Sequence, residues 1–158
     1  MGFTFFFFVS WIAVTLLWMS RKKLSFAENT CVYLVVLIVS INWNWIVYEE
    51  LKLVELTKQP LGHTAFLLNR SIIVPAIVVL AVNLIRSFDS PGRKLLVVSL
   101  SAGLLVALAA IGSSLHITDY AKWNHGYDAL YFLALHAVGL LAQAGFRRLG
   151  RRHSMEGT

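Results

Sequence analysis

Five long, unbroken apolar runs divide this chain, and they leave it a lipid bilayer as the solvent in which to fold. They extend from Phe3 to Met19, Thr30 to Tyr48, Thr64 to Ile85, Leu95 to Leu115 and Ala129 to Phe146. Each falls within the roughly 17 to 25 residues a helix needs to cross a hydrocarbon core. The runs are continuous, whereas a barrel strand alternates polar and apolar residues over about ten positions. The expected fold is therefore all-α: a polytopic membrane protein built as a five-transmembrane-helix bundle, with residues 1 to 158 forming a single integral membrane domain. Composition agrees, since 58% of residues are hydrophobic and 14% charged, against about 25% charged in soluble domains.

The first run does not have the layout of a cleavable leader, which places basic residues before its apolar core and small residues at a cleavage site. Here Arg21, Lys22 and Lys23 follow the run, as expected of a retained anchor with its N-terminus outside. Alternate loops then separate by charge. Arg21, Lys22, Lys23, Arg86, Arg93, Lys94, Arg147, Arg148, Arg151 and Arg152, ten of the fourteen basic residues, fall on one side. Lys52, Lys58 and Lys122 share the other side with Glu49, Glu50, Glu55, Asp119 and Asp128. The positive-inside rule makes the first side cytoplasmic, so the C-terminus is cytoplasmic and the expected location is the plasma membrane.

This asymmetry also accounts for the net charge of +6 and the isoelectric point near 9.8. In a soluble chain those values would point to nucleic acid; here they are topological, and no nucleic-acid partner is expected. Cys31 is the single cysteine, which excludes an intrachain disulfide and a cysteine-based metal site. Trp43, Trp45, Tyr48, Tyr120, Trp123 and Tyr127 are expected to form an aromatic belt at the outer interface.

Arg70 stands out within the third run. Entering from outside near Thr64, it lies about 9 Å down the helix axis at 1.5 Å per residue. A lipid-facing arginine at the midplane costs at least ~2.5 kcal/mol on insertion scales. Two placements avoid that cost: snorkelling to the headgroups, or turning inward to polar partners. Other spans bring polar groups to similar depth: Asn42, Asn44 and Glu49 on the second, His116 and Asp119 after the fourth, His125, Asp128 and His136 on the fifth. With Asn69 these compose an outward-facing polar pocket, in which Arg70 pairs with Glu49 or Asp128 and lies near Asn69 and His136. The inner half offers only Asn83 as a strong buried polar group.

His116 to Asp119 and His125 to Asp128 form two H-x-x-D steps, and both residue types ligate zinc. The spacing is far less restrictive than H-E-x-x-H, so these four residues are ordinary polar groups on the preferred reading, with no metal and no cofactor expected. In the fourth run Ser99, Gly103 and Ala107 recur every four positions, a pattern that lets helix backbones approach closely in lipid. It places this span at the centre of the bundle or at a contact with a protein partner or second copy. Asn69, Ala76 and Asn83 form a seam on the third run, which Pro75 is expected to bend.

The stretch "FLLNRSIIVPAIVVLAVNLI", preceded by "NWNWIVYEELKLVEL", resembles segments of small uncharacterised multi-spanning membrane proteins of endospore-forming Gram-positive bacteria, over residues 40 to 90. That resemblance implies no activity. The functional expectation is an accessory or binding protein rather than an enzyme. The alternatives are a metal-dependent membrane enzyme using the outer His and Asp residues, and a small transporter subunit.

Overall fold

Helix starts in this protein are set by capping chemistry, and they fall earlier than the points where hydrophobicity rises. The computed structural model describes residues 1–20 and 24–156, with side chains given as far as residue 149. Arg21, Lys22 and Lys23, and the side chains of Arg151, Arg152 and Glu156, lie outside the described residues. Helix α1 runs Gly2–Met19. Helix α2, Phe26–Trp45, opens on a capping box: Glu28 N donates to Ser25 Oγ at 3.2 Å, and Ser25 N donates to Glu28 Oε2 at 2.7 Å. The two bonds satisfy two of the amides a helix start leaves orphaned. Helices α3 (Pro60–Leu68) and α5 (Pro91–Ser114) each begin on a proline, whose missing N–H is harmless there. Helix α6, His125–Glu156, starts after Asn124, whose Oδ1 accepts from Gly126 N and Tyr127 N at 2.9 and 3.2 Å.

Among the described residues five helices are long and apolar enough to cross a membrane: Gly2–Met19, Phe26–Glu50, Pro60–Ser87, Pro91–Ser114 and His125–Leu149. The third joins α3 to α4 (Val74–Ser87) through a π-helical turn at Asn69–Ile73. Proline explains where that turn falls. Pro75 has no N–H to offer the Ser71 carbonyl one turn back, and Tyr33 Oη donates to that carbonyl instead, at 2.7 Å. A second π-helical turn, Ile46–Glu50, extends α2.

The third span is the centre of the bundle. Of its most apolar stretch 61% is buried, against 28% for α5, and it packs on α1, α2, α5 and α6. This corrects the expectation that the fourth span is central. Ser99, Gly103 and Ala107 are all exposed, and a Cβ added at Gly103 would meet nothing within 4 Å. The reason is that α5 packs through another face, Val97, Ala102, Leu105 and Leu108. Close helix approach occurs on α6 instead, where a Cβ at Gly139 would sit 3.0 Å from Val78 Cγ1. The seam of the third span is buried as its spacing implies, with Ala76 and Asn83 at 0% and 3% exposure.

At one end of the bundle the two long connections pair as an antiparallel two-stranded sheet, β1 (Val54–Leu56) with β2 (Thr118–Tyr120). Its register sets Val54 opposite Tyr120, Glu55 opposite Asp119 and Leu56 opposite Thr118. The purely α-helical expectation did not contain this sheet, because three-residue strands so far apart in sequence leave no periodic signal. Lys52 and His116 adopt left-handed backbone, with φ of 48° and 51°, as the chain leaves its helices for these strands.

The opposite, basic end corrects a second expectation, that Asn83 is its only strong buried polar group. Glu28 and Gln143 are also buried there. Arg147 pairs with Glu28, and Arg86 donates twice to Gln143 Oε1, at 2.9 Å from Nε and 2.6 Å from Nη2. Asn83 joins Asn29 Oδ1 at 2.7 Å to the Leu24 amide at 3.3 Å. The charged residues of this end look like loop residues in sequence, but the longer helices carry them onto packed faces.

Candidate polar binding pocket

Beneath the sheet lies a cavity of about 60 Å³, lined by residues of all five spans and of the two strands. The two π-helical turns flank it, and both contribute to its wall: Val47 and Tyr48 from one, Asn69 and Arg70 from the other. An inserted residue in a helix shifts the facing of those around it, and such turns concentrate at functional sites.

Arg70 turns inward. Its Nε is buried without a hydrogen-bond partner, and so is the neighbouring Asn69 Oδ1. The guanidinium lies over the Phe66 ring, 5.4 Å from the centroid. No carboxylate oxygen of a described residue comes within 4.0 Å of it, so the expected ion pair is not made. Glu49 is exposed, and Asp128, which does line the cavity, is engaged elsewhere. Its Oδ2 accepts from Tyr120 Oη at 2.6 Å and its Oδ1 from Trp123 Nε1 at 2.8 Å. Burial, and then this bond to Asp128, push the Tyr120 hydroxyl well above its ordinary value of 10.0.

A polar stripe on α2 forms a further wall. Asn44 Nδ2 donates to the Ser40 carbonyl at 2.8 Å, and Tyr131 Oη donates to Ser40 Oγ at 2.9 Å. Trp43 stacks on Tyr131, with ring centroids 5.5 Å apart and planes within 9°.

Of the ten residues expected in the pocket, Asn44, Asn69, Arg70 and Asp128 line it. Asn42 is exposed and bonds back to the Ile38 carbonyl. His116, Asp119 and His125 stand at the surface beside the sheet, His116 Nδ1 being 3.5 Å from Asp119 and His125 Nδ1 3.5 Å from Asp128. His116 closes α5: Ile117 N reaches Gly112 O and His116 N reaches Ser113 O, each at 3.0 Å, the bond pattern of a Schellman motif. His136 is buried away from Arg70, with Nδ1 donating to the Phe132 carbonyl and Nε2 facing Ser101 Oγ, both at 2.7 Å. No group of three or more metal-ligating side chains occurs among the described residues.

Sequence reasoning missed Ser40, Tyr131 and the role of four aromatic residues. Trp43, Tyr48, Tyr120 and Trp123 line the cavity instead of serving only as an interfacial belt, although Trp43 also keeps 40% of its surface exposed; Trp45 and Tyr127 are exposed and do not line it. One usable signal was present, since Ser40, Asn44 and Tyr48 recur every four residues and mark one polar face of a helix. No known family model, curated protein or solved structure matches the chain.

Proposed function

We propose that this is an integral plasma-membrane protein of accessory or binding type, whose pocket holds a small polar ligand and faces the outside. The observation that carries the reading is the buried, unpartnered Arg70 Nε in a polar cavity. A buried donor nitrogen without a hydrogen bond is costly, and a bound molecule that accepts from it offsets that cost. Orientation follows from charge: Arg86, Arg93, Lys94, Arg147 and Arg148 cluster at the end away from the sheet, so the positive-inside rule turns the sheet outward. Contact with another protein or a second copy is assigned to the exposed row Ser99, Gly103 and Ala107, whose small side chains suit close helix approach.

Native mass spectrometry of the full chain, released from nanodiscs, tests the binding reading. The expected result is a small molecule carried by the wild type and absent from Arg70→Met. The same spectrum from both proteins would count against a pocket centred on Arg70.

A further inference from the structure

Two opposite charges line the same cavity without neutralising one another directly. Arg70 contributes a guanidinium that no described carboxylate approaches within 4.0 Å. Asp128, only 9% exposed, receives one neutral donor on each oxygen, and the exposed His125 imidazole lies 3.5 Å from its Oδ2. Tyr48 and Tyr131 lie within electrostatic reach of both groups, so the charges share one aromatic wall. Trp43, Tyr120 and Trp123 continue that wall, and aromatic faces attract an ammonium.

The unpaired atoms carry the same message. Arg70 Nε is a donor without an acceptor, and Asn69 Oδ1 is an acceptor without a donor. A plain anion would answer Arg70 and leave Asn69 Oδ1 without a proton to receive and the Asp128 carboxylate without an opposite charge in the cavity; a plain cation would do the reverse. One small molecule that bears both a carboxylate and an ammonium answers all of them. Size sets a further limit, because a cavity of about 60 Å³ has room for roughly four to six water-sized groups at 10–15 Å³ each.

We infer that the cavity is a site for a small zwitterion of the amino-acid class, with its carboxylate on Arg70 and its ammonium toward Asp128 and the aromatic wall. This assignment rests on the reading that the pocket binds a ligand. Arginine suits the first role because its planar fork meets a carboxylate with two parallel bonds.

The test titrates the full-length wild type in nanodiscs, by calorimetry at neutral pH, with glycine, acetate and ethylamine. Glycine is expected to bind, and acetate and ethylamine to bind at least about tenfold more weakly, since each lacks one charge-assisted set of hydrogen bonds. Arg70→Gln should weaken glycine and acetate alike, and Asp128→Asn should weaken glycine relative to acetate; circular dichroism checks that both variants are folded. Acetate or ethylamine binding as tightly as glycine would overturn the zwitterion and leave a singly charged site. Absence of glycine binding would overturn it too. In that case a copurifying molecule that depends on Arg70 preserves the pocket, and its absence removes both readings together.

Discussion

Arg70 and His116 show how differently two conspicuous residues are used. If Arg70 served stability, its removal would strand a buried carboxylate and cost several kcal/mol. With no ion partner within 4.0 Å, the opposite follows. Arg70→Met should stabilise the ligand-free protein by up to about 1 kcal/mol, because it removes a buried donor that has no acceptor and keeps apolar volume. Thermal unfolding in detergent after exhaustive dialysis checks this, and a lowered midpoint would contradict it. His116 holds a left-handed backbone at the end of α5 with its side chain 86% exposed. Its role is therefore in the backbone. His116→Gly should stabilise by about 0.5–1 kcal/mol, the left-handed penalty of an L-residue less the entropy of glycine, in the same unfolding assay.

Among elements, α6 packs closely against the third span at Gly139. Gly139→Leu drives a branched side chain toward Val78, Val32 and Val82 and should cost about 1–3 kcal/mol by overpacking, seen as a lowered midpoint in detergent. The sheet is held over the cavity by the Tyr120 bond to Asp128, and this makes it sensitive to alkali. Tyr120 titrates higher in the folded protein than its ordinary 10.0, so its stabilising contribution is fully present below pH 10.0. It is lost as pH rises through the displaced value, where the folded protein must release the same proton. Denaturation midpoints measured across alkaline pH should fall in the wild type, and Tyr120→Phe should flatten that fall while lowering stability at neutral pH.

For the whole molecule, polar groups divide between two ends with different purposes. At the basic end charged and amide side chains pair across helices, as in Arg147 with Glu28, Arg86 with Gln143, and Asn83 with Asn29, with Gln143 Nε2 alone left buried without a partner among the described atoms there. Beneath the sheet a donor and an acceptor are left open. Satisfied networks lock a bundle in register, and unsatisfied ones are the places a ligand completes. The proposed orientation predicts that reporter fusions after Lys94 and after Arg152 both report cytoplasm. An external signal from one of them alone would contradict five spans, and an external signal from both would reverse the bundle and turn the pocket inward.

Class, span number and the burial of the seam through Ala76 and Asn83 were legible in sequence, because a bilayer demands long apolar helices and a helical period shows which residues share a face. Pro75 likewise announced an irregularity in its own helix. The pocket was legible only in part: Asn44, Asn69, Arg70 and Asp128 could be named, but their grouping could not. Which span is central, which tryptophans turn inward and which carboxylates stay free depend on how helices rotate about their axes. In lipid every face of a helix is apolar, so hydrophobic pattern does not set that rotation. Here it was decided by contacts that leave no periodic trace: Tyr33 on the Ser71 carbonyl, Tyr120 and Trp123 on Asp128, and two short strands that pair although they lie far apart in sequence.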